Sequence, residues 1–100
     1  MYWIDLDPTV GSEINKKRPC VVLSPNELNI ALNTIVVAPM TSTIKKYPSR
    51  ISTFISGKMG QIAIEQLKCI DKKRIKNFIG TLDSETIQAV KQKMMEIFVE

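Results

Sequence analysis

The chain has no histidine, only two cysteines, and no stretch approaching the roughly 20 consecutive apolar residues that a membrane span requires. Each absence removes a class of function. Without histidine there is no imidazole base at neutral pH, and neither a Ser-His-Asp nor a Cys-His arrangement can be built. Cys20 and Cys69 lie far apart, each inside an apolar run. They are predicted to be buried free thiols rather than a disulfide or a metal pair, and no metal or cofactor is expected. The N-terminus lacks a basic segment followed by a long apolar run, so a soluble, unexported, cytoplasmic protein with no membrane partner is expected. Gly57-Lys58 is not a phosphate loop, because the upstream glycine is missing and Met59 stands where the metal-binding Ser/Thr would be. Aromatic residues are few. Trp3 and Phe54 fall on strands and are predicted core, which leaves Tyr47 as the one aromatic in a loop, there either exposed or simply packed.

What is present suits one small domain spanning residues 1–100: the chain has 100 residues, 44% of them hydrophobic. A domain of this size buries a modest share of its surface, so self-association as a homodimer is a natural source of added stability. Lys and Arg number 14 against 10 Asp and Glu, a net charge of +4 that favours anionic partners. The basic residues cluster at Lys16-Lys17-Arg18, Lys45-Lys46 and Lys72-Lys73-Arg74, each in a predicted loop or turn. Solvated loops explain such clusters one at a time; three convergent loops would track a phosphate backbone.

Residues 2–6 alternate as a strand, and Asp7-Pro8-Thr9 with Gly11-Ser12 then supplies turn chemistry. Cys20-Val21-Val22-Leu23 is apolar on both faces, the pattern of a buried strand, and Pro25 is placed to open a short helix through Leu32. Residues 34–38 make a second buried strand ended by Pro39, and residues 50–55 a weaker alternating one. A turn over residues 57–60 leads into an extended segment, 61–70, with an irregularity near Glu65-Gln66 where alternation slips. A polar turn at 71–74 and a short strand at 78–82 follow. Asp83 or Ser84 then caps a final helix whose Ile87, Val90, Met94, Ile97 and Phe98 share a face, to pack on the sheet or on a partner. The expected architecture is mainly β with α (α+β): a small barrel of curved antiparallel strands with a C-terminal helix.

Polar residues capable of chemistry gather at strand ends, where a small sheet presents side chains to a ligand. They are Ser12, Glu13 and Arg18 in the first loop, Thr41 and Ser42 after an apolar strand, and Glu65-Gln66 with Lys68. Arginine at the mouth of a buried strand suits a phosphate through its planar fork. Taken singly, Arg18 reads equally as a surface ion-pair partner of Glu13 or Asp7, and Thr41 as a turn former.

Asp5-Leu6-Asp7-Pro8-Thr9-Val10-Gly11-Ser12-Glu13, followed by Lys17-Arg18-Pro19 and Val21-Val22-Leu23-Ser24-Pro25, resembles the N-terminal signature of the MazF/PemK endoribonuclease toxins. That signature is a D-x-D/S-P strand end, a G-S/H-E loop and an R-P-x-x-V strand. The resemblance continues through Val37-Ala38-Pro39-Met40-Thr41-Ser42, Ile64-Glu65-Gln66-Leu67-Lys68, Ile70-Asp71-Lys72-Lys73-Arg74 and Leu82-Asp83, in order over nearly the whole chain. It implies an SH3-like barrel, a homodimer, and a cognate antitoxin protein that covers the RNA groove. It also implies sequence-specific, metal-independent cutting of single-stranded RNA or mRNA, leaving 2′,3′-cyclic phosphate and 5′-hydroxyl ends.

The family's motif arginine and threonine fall on Arg18 and Thr41. With Arg18 and Thr41 on the phosphorane oxygens, Glu13 is the candidate for orienting or accepting from the 2′-hydroxyl. Ser12, Lys16, Lys17, Ser42, Lys45, Lys46, Tyr47, Glu65, Gln66 and Lys68 are the candidate RNA-binding residues. Some members carry a histidine in the first loop, where Lys17 or a neighbour stands here, and some place an Arg-x-Asp pair where Ala63 and Glu65 fall. Glu65 therefore stays open between catalysis, base reading and structure. The family's usual Gly-Asp lead is missing before the first strand. Two rivals remain: a CcdB-like toxin that poisons a protein such as DNA gyrase through the C-terminal helix, and an Sm-like RNA-binding module without catalysis.

Overall fold

The computed structural model describes residues 1–7, 11, 16–55 and 57–99. Its elements are β1 (Tyr2–Asp5), β2 (Lys17–Val22), α1 (Asn26–Ala31), β3 (Thr34–Thr41), β4 (Arg50–Ile55), β5 (Lys58–Ala63), β6 (Lys68–Asp71), β7 (Ile75–Phe78) and α2 (Ser84–Phe98). All strand pairs are antiparallel, in the order β4-β5-β3-β2-β1-β7, with β6 also on β3. β3 is the spine. β2 runs along one of its edges, while β6 and then β5 share the other, joined by a 3-10 turn at Ile64–Gln66. That turn is the irregularity expected near Glu65-Gln66. A second 3-10 turn, Lys72–Arg74, swings the chain from β6 beside β3 to β7 beside β1, which rolls the sheet into a small SH3-like barrel.

Two apolar clusters lie on opposite faces of the sheet. Ile4, Leu6, Cys20, Ile35, Val37 and Ile70 fill the barrel. Val21, Ala38, Ile62 and Ile64 on the other face pack against Val90 of α2, with Met94 and Leu82 at the margin. Successive β2 residues therefore serve different cores, as a strand apolar on both faces requires. Burial raises the Cys20 thiol to about 12 despite the nearby Lys68 charge, so it is an inert core group.

Several expectations need correction. β3 does not stop at Pro39 but runs to Thr41; proline is tolerated there because this edge is changing partner from β6 to β5. The turn expected over residues 57–60 is a tight hairpin in which Ile55 pairs with Lys58 and Gly57 takes φ +78°. The strand expected at 78–82 lies earlier, at Ile75–Phe78, where Phe78 meets Tyr2 edge-on at 5.3 Å. Pro25 precedes α1 as its N-cap, and the helix ends at Ala31. Cys69 is exposed, since Ile70 takes the inward face of β6. Trp3 is 42% and Phe54 65% exposed: Ile4 takes the inward position of β1, and Phe54 sits near the tip of the β4/β5 hairpin. Of the α2 stripe only Val90 is buried and Met94 half-buried, while Ile87, Ile97 and Phe98 remain exposed. No helix among the described residues is long and apolar enough to cross a membrane.

Candidate active site

The chain enters the first loop from β1 and returns into β2, and the Asp7 carboxylate ties the two ends together. Asp7 Oδ1 accepts from Lys16 N at 3.1 Å, and Leu6 N donates to Lys16 O at 3.0 Å. Lys16 is held at φ +65°, a conformation non-glycine residues adopt at some cost. The Asp5-Leu6-Asp7 sequence thus fixes where the loop delivers Lys17 and Arg18. Ser12 and Glu13 lie outside the described residues.

Pairing of β2 with β1 and β3 then builds an open cleft of about 420 Å³ lined by Trp3, Lys17, Arg18, Pro19, Met40, Thr41, Ser42, Lys58, Met59, Gly60 and Ile79. Four of the residues predicted from the sequence meet here: Lys17, Arg18, Thr41 and Ser42. Lys17 is exposed, Arg18 half-buried, and Thr41 buried at 7% exposure. Thr41 Oγ1 accepts from Thr43 N at 3.1 Å, which occupies a lone pair and leaves the hydroxyl hydrogen able to donate into the cleft. Lys58 adds a third cation, and Trp3, Pro19, Met59 and Ile79 add an apolar wall.

Gly60 makes the close approach possible. A Cβ there would lie 2.5 Å from Met40 Cε and 3.0 Å from the Thr41 carbonyl oxygen, so a larger residue would have to turn the end of the Met40 side chain aside and press the Thr41 backbone back slightly.

The other candidates stand apart from the cleft lining. Lys16 is exposed at the loop exit. Lys45, Lys46 and Tyr47 belong to the segment that leaves Ser42, and Lys45 is bound through its backbone to the Gln61 side chain. Glu65 forms an ion pair with Arg50, Nε to Oε2 at 2.7 Å, and accepts from Ser49 Oγ at 2.6 Å. Burial pushes the Glu65 carboxyl up, but the hydrogen bonds from Ser49 and Arg50 outweigh it and hold it below its ordinary value. Gln66 and Lys68 are half-buried around the 3-10 turn and the start of β6. The third basic cluster also lies elsewhere: Lys72 Nζ donates to the Asn29 carbonyl beneath α1.

Sequence reasoning missed Trp3, Lys58, Met59 and Gly60 in the cleft, and Arg50 and Gln61 beneath the loop. Only the Lys58-Met59-Gly60 string, basic and flanked by turn glycine, carried a usable signal. Among the described residues no three His, Cys, Asp or Glu side chains are grouped to hold a metal ion.

A small barrel whose cleft combines three cations, a buried threonine and an apolar wall is suited to holding an anionic group beside an apolar one. Residues 1–98 match the family model for the PemK-like, MazF-like toxin of type II toxin-antitoxin systems, and the chain belongs to that family. Over 95 residues it is 34% identical to the endoribonuclease toxin MazF of Escherichia coli K12, covering 94% of this chain and 86% of that protein. It is 32% identical over 100 residues to endoribonuclease EndoA of Bacillus subtilis, with 94% and 86% covered. The fold matches MazF of Deinococcus radiodurans with a TM-score of 0.87 at 23% identity, over 99% of this chain and 92% of that one. It also matches a mycobacterial endoribonuclease solved with its cognate antitoxin, with a TM-score of 0.79 at 17% identity over 95% and 86%.

Proposed function

We propose that the protein is a cytoplasmic endoribonuclease toxin that cuts single-stranded RNA at short sequences without a metal, inhibited by a cognate antitoxin. The observation that carries this reading is the meeting of Arg18 and Thr41, with Lys17, Ser42 and Lys58, in one cleft beside an apolar wall. Its relatives include endoribonucleases at 32–34% identity.

The chemistry needs no group the chain lacks. The 2′-hydroxyl gives its proton to an acceptor as its oxygen attacks the adjacent phosphorus, the bond to the 5′-oxygen breaks, and that oxygen leaves with a proton from water, giving a 2′,3′-cyclic phosphate and a 5′-hydroxyl. Attack by a neighbouring group requires orientation, a proton acceptor and stabilisation of the pentavalent phosphorane. Arg18, always protonated, binds the non-bridging oxygens with its fork, and Thr41 donates a second bond to the same oxygens. Lys17 and Lys58 lower the cost of bringing the anionic strand in, and Trp3 and Met59 face a base. Glu13 is assigned to the 2′-hydroxyl proton on its loop position alone.

The solved mycobacterial endoribonuclease complexed with its antitoxin supports the antitoxin partner, and the exposed Ile87, Ile97 and Phe98 of α2 support a homodimer. The test is incubation of the pure protein with end-labelled RNA in EDTA. Discrete cuts ending in 2′,3′-cyclic phosphate are expected. Uncut RNA would overturn the reading in favour of a toxin that poisons a protein or a non-catalytic RNA-binding module.

A further inference from the structure

The segment from Ser42 to β4 carries two lysines and a tyrosine on the surface, yet two largely buried polar side chains are committed to its shape. Gln61 is 6% exposed and its amide clasps one residue from both sides: Oε1 accepts from Lys45 N at 3.0 Å and Nε2 donates to Lys45 O at 3.1 Å. The Arg50 side chain is 7% exposed. Its Nε binds Glu65, its Nη1 reaches Gln61 Oε1 at 3.4 Å and Thr43 O at 3.5 Å, and its guanidinium lies 5.2 Å from the centre of the Tyr47 ring. Arg50 N also donates to Tyr47 O at 3.1 Å, and Ser49 Oγ to Glu65. The segment is thus held at Thr43, Lys45, Tyr47 and Ser49 by three side chains from β4, β5 and the 3-10 turn.

Ordering a loop costs about 1–2 kcal/mol per residue, and this polar network, buried at Gln61 and Arg50 and open to solvent at Glu65, offsets part of that cost by favouring one loop conformation. A merely solvated loop needs no such network. The network also reaches the cleft directly, because Gln61 pairs in register with Thr41 through its backbone while holding Lys45 through its side chain. Tyr47 is half exposed with one face against Arg50, which leaves its other face as an oriented platform for a base.

From this geometry we infer that Arg50, Gln61 and Glu65 are positioning residues that fix residues 42–49 beside the cleft and thereby set which bases flanking the cut are accepted. None of the three touches the reacting phosphate. They act through Lys45, Lys46 and Tyr47, which bear on the strand next to it. The inference rests on the ribonuclease reading above.

The test is cleavage of a randomised RNA library by the parent, Glu65→Gln, Arg50→Lys and Tyr47→Ala, with cut sites sequenced and kcat and KM measured on the preferred site. Tyr47 is exposed, so its variant folds whether or not the buried network tolerates change. All three variants are expected to lose discrimination at a flanking base by about tenfold, with KM raised more than kcat is lowered, and Tyr47→Phe to restore the parent's preferences. Unchanged base preferences in Tyr47→Ala, or a loss confined to kcat, would overturn the inference while leaving the ribonuclease reading intact. A parent protein that makes no cuts would overturn both.

Discussion

Arg18 and Thr41 stand on adjacent strands, so backbone ladders place them: β2 is paired to β1 and β3, and Thr41 is matched to Gln61 of β5. Lys45 and Tyr47 follow Thr41 closely in the chain yet have no ladder, and they depend on the side chains of Arg50, Gln61 and Glu65. The difference separates two demands on one site. A phosphorane must be met by donors held to within a fraction of an ångström, which paired strands provide. Bases differ from sequence to sequence, and residues 42–49, held by side chains rather than by a ladder, can vary while the pairing of β2, β3 and β5 around Arg18 and Thr41 is kept. Substitutions at Arg18, Thr41 and Gly60 should therefore act on the chemical step, and substitutions in residues 42–49, or in the three side chains that hold them, on selection.

The largest effect is expected on the strand side. Arg18→Ala removes the fork from the cleft and should lower kcat by about a thousandfold, with Arg18→Lys recovering only part because an ammonium cannot make the bidentate contact. Single-turnover cleavage and a thermal melt decide it. Activity retained by a folded Arg18→Ala protein would remove Arg18 from the mechanism. Gly60→Ala is the subtler break on the same side. The new methyl would displace the Met40 side chain and press on the Thr41 carbonyl, costing about 1–3 kcal/mol of stability and shifting Thr41. About a tenfold fall in kcat, with the base preferences of the cut unchanged, is the expected signature.

On the loop side, the Glu65 carboxyl offers a pH handle. Its folded value is depressed below the ordinary 4.5, so its pairing with Arg50 and Ser49 contributes fully above that pH and is lost as pH falls through the folded value. Melting temperatures at descending pH should drop more steeply below about 4.5 in the parent than in Glu65→Gln, whose amide does not titrate in this range. Parallel curves for the two proteins would mean the Arg50 and Ser49 bonds contribute nothing to the fold.

Sequence patterning reached the strand side of this comparison far better than the loop side. β2 and β4 are legible because burial on both faces and plain alternation are local signals, and the Asp7 and Arg18 strings mark the first loop. The pattern also puts Thr41 and Ser42 at a strand end, although it stops the strand at Pro39, since proline's usual effect on a sheet does not foresee an edge that is changing partners. Trp3 reads as core because it falls on a strand, and only the register of β1 shows that Ile4 takes the inward place. Arg50 and Gln61 had no local signal at all: their partners lie on other elements, and nothing in Arg50-Ile51-Ser52 distinguishes a surface arginine from one tied to Glu65. The motif leaves Glu65 open between catalysis, base reading and structure, and its ion pair with Arg50 is what supports the positioning role inferred above.

The smallest effect asked of the comparison concerns the lysines. Lys58 lines the cleft, whereas Lys46 sits on the exposed loop. If both contact phosphates, each Lys→Ala change should reduce the slope of log affinity against log salt by about 0.7, the value for one contact on a single strand. An RNA carrying a 2′-deoxy sugar at the cut site binds without being cleaved, because the attacking hydroxyl is missing, so binding can be measured on active protein. A slope that falls for Lys58→Ala but not for Lys46→Ala would confine the RNA to the strand-built cleft. Equal falls would extend the bound strand over the loop, where Tyr47 could then read the base that follows.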